Sequence, residues 1–218
     1  MQATGSNARR VQILIGLMLS LGGANLPIGT WGEKLGIFGR LLSHEVLWWV
    51  LVVILLIYVL IVERQPLSSI GFRRFRIWEI AIAIVAGIVM VIGIVVIYGV
   101  VFPKLHLQMN TGVMNTLLAT PFWYRFMLVT RAAVAEETLF RGYAIERIEE
   151  LTSSRALAAL VSWALFTIAH LSSWGFAQLI VAGFGGVVLT ILYLWRRNLW
   201  INMIAHWIAD AAGFLLPH

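Results

Sequence analysis

The sequence predicts an all-α fold: a polytopic transmembrane helix bundle of about seven spans, with the candidate functional site within the bundle. Three observations predict it. Of the 218 residues, 61% are hydrophobic and 12% charged, with a mean hydropathy of +0.89; a soluble domain is about 45–50% apolar and about 25% charged. The apolar residues fall into runs close to the roughly 20 that a helix needs to cross the hydrocarbon core, and basic residues gather in the loops between them. Where charge does enter the runs it recurs at helical spacing, above all in Ala135-Glu136-Glu137-Thr138-Leu139-Phe140-Arg141-Gly142-Tyr143. A net charge of +6 in a soluble protein would suggest nucleic acid. In loops beside apolar spans it reads as topology and contact with anionic lipid, and no nucleic-acid partner is expected. With no cysteine in the chain, disulfides, thiolate chemistry and Cys-based metal sites are excluded.

The first span covers residues 11–28, after Arg9 and Arg10. Its start resembles a signal peptide, but the run continues, Gly-rich, toward Ile28 and is read as a retained helix. The second, residues 46–62, opens on Trp48-Trp49 at interface depth, and a basic loop from Glu63 to Arg76 follows. The third, residues 77–102, is β-branched, long enough to tilt, and is stopped by Pro103. Residues 104–121 are the least apolar stretch and are expected outside the bilayer core. The fourth span, residues 122–149, carries Arg125, Arg131, Glu136, Glu137 and Arg141 and so belongs inside the bundle. Arg125 and Arg131 are read as reaching its ends or the interface. The fifth, residues 155–171, ends in Phe166-Thr167-Ile168-Ala169-His170. The sixth, residues 175–195, offers the small surface Ala182-Gly183-Phe184-Gly185-Gly186 for close helix packing. The seventh, residues 199–216, carries His206-Trp207-Ile208-Ala209-Asp210.

Basic residues set the orientation. With the N-terminus in the cytoplasm, the cytoplasmic side holds Arg9, Arg10, Arg64, Arg73, Arg74, Arg76, Arg147, Arg155, Arg196 and Arg197, and the other side Lys34, Arg40 and Lys104. Ten against three favours that arrangement.

A charge at the centre of a bilayer helix costs roughly 2.5–3.5 kcal/mol on insertion scales, so the charges of the fourth span need partners or a task. Glu137 and Arg141, four apart with the acid first, are a favourable helical pair. Glu136 lies about 100° further round the helix and has no such partner in the sequence. His170 stands on the next span, and His206 and Asp210 share one face of the last. Intramembrane ionisable groups are functional-site candidates. Glu136 with His170 can hold and deprotonate a water, and His206 with Asp210 can stabilise the oxyanion that follows. Tyr143 and Trp174 are placed along the cleft.

The ordered triple Glu136-Glu137-x-x-x-Arg141, Phe166-x-x-x-His170 and His206-x-x-x-Asp210, on successive apolar helices, resembles the CAAX protease and bacteriocin-processing (CPBP, Abi) family of intramembrane endopeptidases. The loop Glu63-Arg64-x-Pro66-Leu67-x-x-Ile70-Gly71-Phe72-Arg73 is similar to what often precedes that family's core. The resemblance implies that Glu136 is the general base with His170. It implies that His206 and Asp210 form the oxyanion side, while Glu137, Arg141 and Phe166 hold the architecture. Where this chain has Asp210, eukaryotic prenyl-protein members more commonly have Asn; Asp210 either donates a hydrogen bond when protonated or accepts one and orients His206. The resemblance further implies N-terminal spans and loops over residues 1–121 and a catalytic core of about four spans over residues 122–218. Eukaryotic members cleave the last three residues from prenylated proteins. The compact chain resembles bacterial members, which implies the cytoplasmic membrane, lipid as a partner, and a peptide or protein substrate with a lipid-modified or hydrophobic residue.

Members are often labelled metalloproteases, and His170, His206 and Glu136 would be the three zinc donors. The His-Glu-x-x-His signature is absent, since His44-Glu45 is followed by Val46-Leu47-Trp48, and a glutamate-activated water without metal accounts for the same residues. Two rival readings stand beside the protease: a non-proteolytic scaffold or bacteriocin-immunity protein of the same fold, and a proton-coupled transporter. A transporter would show internal repeats or matched helix breaks, and the sequence shows neither.

Overall fold

The structure, a computed structural model, describes residues 2–23 and 36–216, and every regular element among them is helical. Helix α1 runs Gln2–Leu17 and continues as a π turn, Met18–Gly22. Helix α2 is Gly36–Ile57 with a π turn, Tyr58–Val62. Helix α3, Glu79–Val96, continues through Ile97–Val101 and Phe102–Lys104. Helix α4 is Thr111–Leu118, with the Asn110 side chain accepting from the Val113 N–H as its N-cap. Helix α5 is unbroken from Phe122 through Glu136, a π stretch Glu137–Ile145, and Glu146–Thr152. Helix α6, Arg155–Ala169, is followed by one turn, Leu171–Trp174. Helices α7, Gln178–Arg196, and α8, Leu199–Phe214, complete the chain.

Four helical segments are long and apolar enough to cross a membrane: Leu42–Val62, Glu79–Lys104, Arg155–Trp174 and Gln178–Arg196. They correspond to the second, third, fifth and sixth spans expected from sequence. The other three do not meet that description. Helix α8 has 16 residues, short of a full crossing. Helix α5 is long enough but too charged, and the end of the first expected span (residues 24–28), like the loop with Glu33 and Lys34, lies outside the described residues.

The bundle is apolar outside and polar within. Val50, Val53, Ile54, Ile57 and Ile61 on α2, and Val85, Ile88, Val89, Ile92 and Val95 on α3, are exposed, whereas Glu45, Glu63, Arg131, Glu137, Arg141, Arg147, Asn202 and His206 are buried. In water this would be unfavourable on both counts; in lipid the outer surface is solvated by acyl chains and the polar groups must satisfy one another. Helix α8 lies at the centre, packed along α3, α5 and α7.

One end of the bundle is tied by ion pairs. Arg147 donates to Glu63 at 2.6 Å, and the Tyr143 hydroxyl donates to the same carboxylate at 2.6 Å. Arg9 meets Glu150 at 2.7 Å and holds that carboxyl below the usual carboxylate range. Arg197 pairs with Glu146 at 2.9 Å and with Glu149, Arg196 with Glu79, and Asn198 donates to the carbonyls of Arg73 and Arg74 at 3.3 Å. The 63–79 loop, the middle of α1, the starts of α6 and α8, and the last turns of α5 and α7 therefore meet at this end.

The approach of the loop to α5 requires glycine at 142. A Cβ there would lie 2.6 Å from the Ile70 carbonyl oxygen and 2.7 Å from a Leu199 methyl. The first of these atoms is backbone and is fixed by the turn Leu67–Ile70, which Gly71 closes at φ +92°. Gly142→Ala is therefore expected to destabilise the protein by about 1–3 kcal/mol through overpacking, read as a lowered unfolding midpoint of the purified protein in detergent.

Candidate active site

The motif of α5 sits where the helix changes register. Glu136 is the last residue before the nine-residue π stretch Glu137–Ile145, a rare local geometry that is frequent at functional sites. The two adjacent carboxylates have opposite environments. Glu137 is fully buried: one oxygen accepts from Arg141 Nη1 at 2.9 Å and from His206 Nδ1 at 3.0 Å, and the other from Asn202 Nδ2 at 3.0 Å. Arg141 is also fully buried, reaches the Gly186 carbonyl at 3.4 Å, and stacks 3.9 Å above the Phe166 ring. Glu136 instead lines a cavity of about 340 Å³ together with His170, His206 and Asp210. The four residues singled out from the sequence as the reacting set thus share one cavity wall.

His170 caps the end of α6, and its Nδ1 lies 2.8 Å from the Phe166 carbonyl. A carbonyl only accepts, so Nδ1 carries the proton and the Nε2 lone pair is left for another donor. Phe166 packs against His170 at 4.7 Å and His206 at 6.4 Å between ring centroids, so one ring holds Arg141 and both histidines in place. His206 donates through Nδ1 to Glu137, and its Nε2 lies 3.5 Å from Asp210. One proton between Nε2 and Asp210 satisfies both groups.

The absence of a cation near Glu136, expected from sequence, is corrected by the structure. Arg131, read as reaching the helix end or interface, is buried, and its Nη1 lies 3.4 Å from Glu136. Five residues back on the same helix, it turns along the cavity wall instead of leaving it. Its other face is taken by Glu45 of α2, at 2.8 and 3.2 Å, and the Trp48 ring lies 5.2 Å away. His44, hydrogen-bonded to Trp48 Nε1 at 3.2 Å, sits 3.5 Å from Glu45. Glu45 and Asn202 are site residues that sequence reasoning missed. Asn202 was legible as one turn before His206 in an Asn202, His206, Asp210 stripe. Glu45 was a lone acid at the edge of an apolar run. Trp174 lines the cavity, as placed. Tyr143 does not: its hydroxyl is bound to Glu63 at the ion-paired end.

The zinc donors named from sequence do not come together as a set. Among the described residues no three His, Asp or Glu side chains form a group able to hold a metal ion. Both ring nitrogens of His206 face carboxylates and one oxygen of Glu136 faces Arg131, so these groups are turned to other partners.

A second cavity of about 480 Å³ adjoins the first between α3, α4, α7 and α8. It is apolar, and the two share Trp174, Gln178, Asp210 and Phe214.

No curated protein and no solved structure matches the chain. A family model, described as Type II CAAX prenyl endopeptidase Rce1-like, matches residues 116–212. That segment contains Arg131, Glu136, Glu137, Arg141, Phe166, His170, Asn202, His206 and Asp210, but not Glu45. Over residues 116–212 the chain is thus similar to the CAAX-protease (CPBP) family, the same family that the three ordered motifs resemble.

Proposed function

We propose that the protein is an intramembrane endopeptidase that hydrolyses a peptide bond with a water activated by Glu136 and His170. The observation that carries this is the contrast between neighbours: Glu137 is saturated by Arg141, His206 and Asn202, while Glu136 lies on the cavity wall with Arg131 on one oxygen. Glu136 takes a proton from water while the His170 Nε2 lone pair accepts the other water hydrogen. The hydroxide adds to the carbonyl carbon, and the oxyanion is met by the proton held between His206 and Asp210. Collapse breaks the C–N bond, and Glu136 returns its proton to the departing amine. The adjoining apolar cavity suits a hydrophobic or lipid-modified residue beside the scissile bond, in keeping with the substrate named in the family description.

Glu45 and Arg131 position this base. Arg131 orients one Glu136 oxygen, and Glu45 takes up most of the guanidinium, so Glu136 is not clamped. Glu45→Gln releases Arg131 onto Glu136 and is expected to lower turnover about 100-fold, the scale of a small misplacement of a reacting group. Arg131→Met in the same background should recover part of it.

The reading includes seven spans in a cytoplasmic membrane, with α1, α5 and α8 also crossing and the N-terminus in the cytoplasm. It also includes a division into residues 1–121 and a catalytic core, residues 122–218. The test is N- and C-terminomics of membrane proteins in the native host, wild type against Glu136→Gln. Cleaved termini that vanish in the variant support proteolysis and identify the substrate. Identical termini, with a phenotype on deletion of the whole protein, make it a non-proteolytic scaffold.

A further inference from the structure

We infer that the cavity carrying Glu136 opens on the side of the membrane away from the cytoplasm, so that its substrate is a polypeptide segment presented at the outer face. The substrate half of this rests on the protease reading; the sidedness does not. Two independent placements lead to it. The ten arginines assigned to the cytoplasm come from five separate stretches of chain. The structure brings members of these stretches together through Arg9–Glu150, Arg147–Glu63, Arg155–Glu149, Arg197–Glu146 and the Asn198 contacts with Arg73 and Arg74. Their clustering at one end is thus a property of the fold and not only of span counting. Lysine and arginine resist transfer across the membrane and favour the anionic inner leaflet, and acidic neighbours contribute little to that bias.

The cavity lies toward the other end on every helix that lines it. His44 and Glu45 lie in the first half of α2, whose far end leads to Glu63. On α5 the lining runs from Tyr124 to Glu136, and Arg147 follows roughly 15 Å beyond. His170 and Ser173 close α6, which starts at Arg155; Gln178 opens α7, which ends at Arg196. On α8, Phe214 stands roughly 24 Å from Asn198 along the helix. Helix α4 contributes Val113 and Leu117 to the same wall. Arg125, which donates to the Phe214 carbonyl at 2.9 Å, marks this end. The cavity therefore runs from mid-bundle to the end opposite the arginines, and a peptide reaches Glu136 from there.

The chain has no cysteine, so single-cysteine variants report position without background. Ser173→Cys and Thr116→Cys mark the cavity end, and Ser153→Cys marks the arginine end; all three positions are exposed. In intact bacterial cells expressing the full chain, a membrane-impermeant maleimide is expected to label the first two and to reach Ser153→Cys only after lysis. Labelling of Ser153→Cys in intact cells, or protection of both cavity-end cysteines until lysis, overturns the inference. Two cavity-end reporters keep the test decisive should one substitution disturb the fold. Terminomics then adds the substrate arm: Glu136-dependent termini in outer-face segments support it, and termini in cytoplasmic segments overturn it. A lack of any Glu136-dependent termini would defeat the protease reading while leaving the labelling result standing, so the two failures are distinguishable.

Discussion

Arg141→Met is expected to cost about 3–5 kcal/mol, the range for breaking a buried ion pair by removing one partner. The guanidinium is fully buried, donates to Glu137 at 2.9 Å and lies 3.9 Å above Phe166. Its loss leaves the Glu137 carboxylate in the bundle core with only His206 and Asn202 as partners. It also removes the plate against which Phe166 holds the two histidines. Lysine is no remedy, because a compact ammonium cannot stack on the ring while reaching Glu137. The measurement is the thermal unfolding midpoint of the purified protein in detergent. A partial recovery is expected when Glu137→Gln is added, since the core then holds no uncompensated charge. An unchanged midpoint in the single variant would show that the pair does not support the fold.

Glu136→Gln should do the opposite: leave the midpoint in place and lower kcat/KM on the identified peptide by about 10²–10⁴-fold, the usual share of a general base. Glutamine keeps the volume and the contact to Arg131 but cannot take a proton. Glu137→Gln, one residue on, is expected to lose stability and activity together, because its carboxylate is a structural acceptor for three donors. Equal behaviour of the two variants would mean that the adjacent acids do not divide the work as proposed.

Much of this arrangement was legible in the sequence. Long apolar runs announce helices, and the i, i+4 pairs Glu137/Arg141 and His206/Asp210 announce shared faces, because both signals are local. The pairing of Glu137 with Arg141 follows from spacing alone; its additional bonds to His206 and Asn202 needed α8 to be placed against α5. Arg131 was misjudged for the same reason. Its partner Glu45 lies 86 residues away, and no periodicity within one helix reveals a contact between two. The π stretch was equally hidden, since Glu137–Ile145 has the apolar pattern of an ordinary helix, and only the packing of Gly142 against the Ile70 carbonyl shows what the altered register accommodates.

The Glu45–Arg131 pair changes what counts as the functional unit. By resemblance the chain has a recognisable core preceded by spans that look like mere anchorage, and a border near residue 116 is natural on that view. Charge balance crosses the border. Within the core Arg131 has a single acidic neighbour, Glu136, and it is an upstream helix that brings the second. A chimaera that joins this core to the spans of a relative lacking an acid at the place of Glu45 would inherit every recognised motif and still leave Arg131 bearing on Glu136 alone. The family likeness is therefore written in residues 116–212, but the charge setting around Glu136 is shared with α2.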